Sequence, residues 1–124
     1  MKKINLNDIL NYKCKLPYKS KDDYSKGGFY IIKHIKYEKS YIGKSIDYMA
    51  RLKQHTYNSN KKTIIDIALK TNINDFEFYL IYDYQFFKIN YFNRKLETII
   101  EQHLIKEYKT YSPFGYNVRY YGHI

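Results

Sequence analysis

Two short β-rich runs separated by a polar stretch constrain this chain more than any other feature. Gly27-Gly28 breaks the segment before them, Phe29 to Ile35 is dense in β-branched and aromatic residues, Lys36 to Ser40 is polar, and Tyr41-Ile42-Gly43 follows. That pattern predicts a β-hairpin. Ten residues lie between Tyr30 and Tyr41. With an even-numbered loop, positions so spaced point to the same face of the two strands, so the two phenols are expected side by side.

The rest of the chain arranges itself around that hairpin. Ser45 or Asp47 is a suitable cap for a helix containing Met49, Ala50 and Leu52 that fades near Tyr57 to Asn60. A second helix is predicted over Thr63 to Lys70, and a third strand over Phe76 to Tyr84, with Phe86-Phe87 opening a loop. Leu96, Ile99, Ile100, Leu104, Ile105 and Tyr108 recur at helical spacing and predict the longest helix, from about Tyr91 to Tyr108. Pro113 to Gly115 ends it and a short extended tail follows. Before Gly27, lysines dominate and only Ile4 to Leu10 has helix-like apolar spacing. Met1 to Lys26 therefore reads as a basic arm with one short helix, and residues 27–124 as one domain, since 124 residues suffice for a single core.

A net charge of +10 creates a field that attracts polyanions, because a cationic surface gains affinity by releasing counterions condensed on phosphates. Nucleic acid is the leading partner. The chain has no apolar run approaching the length of a membrane span, no strongly amphipathic basic helix and no signal-peptide pattern. The expectation is an intracellular, cytoplasmic protein without a membrane partner. Cys14 is the single cysteine, which excludes an internal disulfide and a zinc cluster of cysteine ligands. The abundance of Lys, Asn, Ile and Tyr is also what an AT-rich coding sequence yields, so motifs must carry the functional reading.

The motifs point to phosphodiester chemistry. Arg51 and His55 are i and i+4 on the predicted helix after the hairpin, so they share a face. Two phenols, a guanidinium and an imidazole can then converge. Hydrolysis of a phosphodiester needs a nucleophilic water, stabilisation of negative charge on the phosphoryl oxygens, and help for the leaving oxygen. Arg51 suits the second task as a fixed fork of donors. A tyrosine acts as a base only where a cation favours its phenolate, and Lys44 and a bound metal ion are candidates for that. Plainer readings stand beside each of these. Tyrosines on strands pack, Arg51 can contact a phosphate or a carboxylate on the surface, His55 can satisfy helix C-terminal carbonyls, and Asn117 can stabilise a turn after Gly115. His34, His103 and His123 have no spacing that recommends them as ligands.

Taken in order, Gly28-Phe29-Tyr30, Tyr41-Ile42-Gly43, Arg51, His55, Glu101 and Gly115-Tyr116-Asn117 resemble the motif set of the GIY-YIG nucleases, with Phe29 in place of the commonest Ile. The resemblance spans Gly28 to Asn117. It implies an α/β sandwich on a three-stranded antiparallel sheet flanked by helices, with strands Phe29 to Ile35, Ser40 to Gly43 and Phe76 to Tyr84. It also implies a metal-dependent DNA endonuclease using one Mg²⁺ or Mn²⁺ ion per active site. Its spacing selects Glu101 over Glu97 as the metal ligand, leaving Glu97 as a solvated residue. The expected catalytic residues are Tyr30, Tyr41, Lys44, Arg51, His55 and Asn117, with Tyr30 as the base and Tyr41 orienting the water or phosphate. Lys13, Lys15, Lys19, Lys21 and Lys53 are the expected phosphate contacts, which position without reading bases. The alternative is a non-catalytic DNA-binding module of the same fold. RNA stays open as a substrate, as does a dimer, one of two ways to cut both strands of a duplex.

Overall fold

Alternation along one central strand decides how this molecule is layered. The computed structural model describes residues 1–13, 26–57, 63–87 and 94–118. Its elements run β1 (Lys2–Ile4), α1 (Leu6–Leu10), β2 (Gly28–His34), β3 (Ser40–Ser45), α2 (Tyr48–Tyr57), α3 (Ile64–Thr71), β4 (Phe76–Asp83) and α4 (Arg94–Tyr108). The sheet order is β1-β4-β2-β3 and every neighbouring pair is antiparallel. Tyr30 and Ile32 enter one core with Ile9 of α1, Leu52 of α2 and Ile65 and Leu69 of α3. Phe29 and Ile31 enter a second core with Ile42, Ile81 and, from α4, Leu104 and Ile105. A strand covered on both faces reads as an unbroken apolar run, which is why Phe29 to Ile32 of β2 has no polar alternate. The expected α/β sandwich with an antiparallel sheet is thus present.

The sheet has four strands, where the sequence predicts three. The extra one is β1, which pairs Lys3 with Tyr79 and Ile4 with Phe78 on the outer side of β4. Three residues give no periodicity to read, and two lysines on an edge strand resemble a solvated tail. The start of the chain is integrated further by Ile4 and Ile9, both in the core. Tyr12 donates its hydroxyl proton to Asp47 Oδ2 at 2.8 Å. Lys53 in turn donates to the Tyr12 carbonyl at 2.8 Å. Lys15, Lys19 and Lys21 lie outside the described residues. Because Ile9 is fully buried, Ile9→Ala is expected to cost about 2–5 kcal/mol of unfolding free energy. Urea denaturation checks this, and a loss within experimental error would show that α1 is not packed as described.

Helix starts follow their caps. Asp47 Oδ1 accepts from Ala50 N at 3.1 Å at the head of α2. Thr63 accepts from Asp66 N at 3.3 Å at the head of α3. Tyr84, expected at the end of the third strand, and Phe86-Phe87, expected to open a loop, belong to a single 3₁₀ turn, Tyr84–Phe87. No helix among the described residues is long and apolar enough to cross a membrane.

Candidate active site

The site is built around β3, at the edge of the sheet, from side chains on both of its faces. In the hairpin register Tyr30 stands opposite Gly43 and Ile32 opposite Tyr41. Tyr30 and Tyr41 therefore lie diagonally on one face, their ring centroids 6.5 Å apart. The ring of Tyr30 crosses over Gly43, where a Cβ would run into Cζ and the hydroxyl oxygen of Tyr30. Glycine is required there for close approach. Gly43→Ala is expected to push the Tyr30 ring aside, with an overpacking cost of about 1–3 kcal/mol. Thermal denaturation reads that cost, and a hydroxyl displaced from His55 would appear as a lost contact in the variant's structure.

α2 lies over this face and brings Arg51 and His55 to it. His55 is buried with Nε2 2.9 Å from the Tyr30 hydroxyl. Its other nitrogen, Nδ1, is 2.6 Å from Asp66 Oδ1 on α3. Asp66 has no place among the sequence expectations. As the fourth residue of a Thr63-capped helix start, it looks like an ordinary helix N-terminal acid. Only the packing of α3 against α2 turns it toward His55. Arg51 donates to Gln54 Oε1 at 3.0 Å, and its charge beside the two tyrosines favours their phenolate forms. Burial acts the other way and dominates. It holds the Tyr30 phenol well above the usual tyrosine range, with Tyr41 adding to the rise, and raises Tyr41 as well, with Glu101 adding there.

The other face of β3 carries Lys44. Successive strand residues alternate sides, so Lys44, opposite Phe29, points away from Tyr30 and toward α4, where it donates to Thr98 Oγ1 at 3.0 Å. The cation next to Tyr30 is therefore Arg51, where sequence reasoning expects Lys44. Glu101, one turn beyond Glu97 on α4, has its carboxyl pushed up by burial and by the charge of Glu97, while Lys44 draws it down. Glu97 is itself only 9% exposed, so the expectation of a solvated residue fails; it lies on the same flank of α4 as Glu101, turned inward.

The last site residue closes the edge of the sheet. Asn117 Oδ1 accepts from Ile42 N at 2.8 Å and from Thr110 Oγ1 at 2.7 Å, and Nδ2 donates to the Ile42 carbonyl at 2.9 Å. Its amide thereby pairs with β3 as another strand's backbone would. Tyr116 N extends this by donating to the Ser40 carbonyl at 2.8 Å. Gly115 makes the turn possible, since a Cβ there would meet the Thr110 backbone. Tyr41, Glu101, Tyr116 and Asn117 line a cleft of about 340 Å³. Tyr30, its ring 6.5 Å from that of Tyr41, is almost wholly buried and is not part of the cleft lining. Lys13 is exposed near α1, whereas Lys53 has its ammonium on the Tyr12 carbonyl.

The family model described as GIY-YIG catalytic domain matches residues 26–117. The chain belongs to the GIY-YIG family. No curated protein and no solved structure gives a significant match. Family membership implies nuclease-type DNA cleavage, a nucleic-acid substrate and, in general, a divalent metal ion. Among the described residues there is no group of three His, Cys, Asp or Glu side chains able to cage an ion. What this GIY-YIG chain offers at the cleft is the half-buried carboxylate of Glu101, whose negative charge is disfavoured by its surroundings, with the buried Glu97 one turn before it on α4. That donor fits a hard ion that keeps most of its waters and takes one or two carboxylates.

Proposed function

We propose that this chain is a metal-dependent endonuclease that hydrolyses DNA phosphodiester bonds in the cleft beside β3. The observation that carries this reading is the buried 2.9 Å contact between the Tyr30 hydroxyl and His55 Nε2, with the Tyr30 ring 6.5 Å from that of Tyr41, which lines a cleft together with Glu101. Glu101 would hold Mg²⁺ or Mn²⁺, which supplies charge stabilisation for the phosphoryl and leaving oxygens. Arg51, a planar fork on the same side as the two tyrosines, would bind the phosphoryl oxygens. Lys44 adds positive charge on the Glu101 side.

The raised pKa of Tyr30 makes a standing phenolate unfavourable. A base at this position must therefore lose its own proton as it gains another. Tyr30 is the tyrosine with a basic partner in place for that exchange: it accepts a proton from the attacking water while its hydroxyl proton passes to His55 Nε2. The water oxygen forms the new bond to phosphorus as the bond to the leaving oxygen breaks. Tyr41, at the cleft wall, orients the water or the phosphate. Asn117 acts one step back, fixing β3 and with it Tyr41 and Lys44.

Lys13 and the further lysines at 15, 19 and 21 supply sequence-independent affinity for phosphates. The single cysteine and the overall charge favour a reducing, cytoplasmic setting. The test is single-turnover cleavage, with Mg²⁺, of end-labelled duplex, branched DNA and RNA of matched length. Cleavage of a DNA substrate supports the reading. Degradation of RNA alone replaces the substrate, and tight binding without a cut on any of them favours a non-catalytic DNA-binding module of the same fold.

A further inference from the structure

The pair His55 and Asp66 is more buried and more closely joined than a structural role for either residue requires. The two side chains are 1% and 7% exposed and 2.6 Å apart, and their contact ties α2 to α3 beside the apolar core of Leu52, Ile65 and Leu69. Burying a carboxylate is costly unless its partner rewards it. An apolar pair would join these helices at less expense.

We infer that Asp66 is a positioning residue for the reaction, holding His55 in the tautomer that lets Nε2 take the Tyr30 proton. The inference rests on the general-base reading of Tyr30 and extends it. A carboxylate only accepts hydrogen bonds, so the contact at Asp66 Oδ1 places the ring proton on Nδ1 of His55. In the neutral ring Nε2 is then left with its lone pair toward the Tyr30 hydroxyl, which donates to it. The phenol oxygen keeps a lone pair for the proton of the attacking water. When the proton arrives, Tyr30 releases its own to Nε2 and His55 becomes an imidazolium whose charge the Asp66 carboxylate offsets. Proton count and charge balance without another group. Among the described residues, the groups facing the imidazole are Tyr30 from β2, Tyr41 from β3 and Asp66 from α3, with Arg51 on its own helix. Asp66 is the anion among them. The logic is that of an acid that orients a histidine and stabilises its protonated form, without taking the proton itself.

The test is a cycle of Asp66→Asn, Tyr30→Phe and the double variant, each assayed by single-turnover cleavage of duplex DNA with Mg²⁺ and by DNA affinity. Asp66→Asn is expected to slow cleavage by about 10²-fold, the scale for loss of proton transfer, with affinity unchanged. It should slow the Tyr30→Phe enzyme no further, because it acts through the missing hydroxyl. Asp66→Glu should recover part of the rate. A wild-type rate for Asp66→Asn while Tyr30→Phe is inactive would overturn this inference and leave the general-base reading standing. An active Tyr30→Phe would remove that reading and this inference with it. Should Asp66→Asn fail to fold, the ¹⁵N spectrum of the His55 ring in the wild-type protein decides: a proton on Nδ1 is expected, and a neutral ring protonated on Nε2 would overturn the assignment.

Discussion

Replacing Glu101 by Gln is expected to abolish cleavage while leaving DNA affinity nearly intact. The substitution keeps the size of a side chain that lines the cleft and removes the charge that would hold the metal ion. The basic surface that binds phosphates is untouched. Loss of several kcal/mol of charge stabilisation corresponds to a fall of about 10²–10³-fold or more in the single-turnover rate. Affinity measured by fluorescence anisotropy should change little. Glu97→Gln serves as the comparison. It leaves Glu101 in place and should be mild, and the opposite pattern would move the metal ligand one turn along α4. Acidity gives the sign a second check. Burial and Glu97 raise the Glu101 carboxyl above its usual range, so in the free protein it takes up a proton at a higher pH than a surface glutamate. Metal binding and cleavage should therefore fail earlier on acidification than an ordinary carboxylate would dictate. Glu97→Gln should move that limb to lower pH.

The second large effect is at Tyr30. Tyr30→Phe keeps the ring over Gly43 and removes the oxygen bonded to His55. The expected fall in single-turnover rate is about 10²-fold or more, as for loss of a general base, with DNA affinity unchanged. The buried His55 nitrogen, left without the hydroxyl, also costs about 1–3 kcal/mol of stability. Rates are therefore compared well below the variant's melting temperature. Tyr41→Phe should be milder, since Tyr41 orients and does not take the proton. If Tyr41→Phe is inactive and Tyr30→Phe cuts normally, the two tyrosines exchange roles. If both stay active, neither phenol is the base.

How much of this arrangement the sequence discloses depends on the range of the contact. Same-face placement of Tyr30 and Tyr41 follows from strand alternation and loop length, and that of Arg51 and His55 from helical spacing, because both are local geometry. The contacts that sequence reasoning does not reach are all between elements. Asp66 meets His55 only because α3 packs on α2, and its position in the chain marks nothing more than a helix start. Lys44 turns to α4 although its neighbour Gly43 is opposite Tyr30, a consequence of alternation that is readable once the register is known. Glu97 is drawn inward because α4 presents one flank to β3, and an exposed Ile99 on the same helix shows how weakly apolar periodicity fixes that flank. β1 is too short to carry a pattern, and its pairing with β4 joins residues at opposite ends of the sheet's sequence.

The most direct test of the account is the conversion of supercoiled plasmid by purified protein. Wild-type protein with Mg²⁺ should produce nicked circles, and then linear or smaller products, and should stop when the metal is chelated. Glu101→Gln and Tyr30→Phe proteins purified in the same way should leave the plasmid supercoiled while still retarding it on a gel. Supercoiled plasmid that is retarded but never cut by the wild-type protein, or cut equally well by all three, would contradict it.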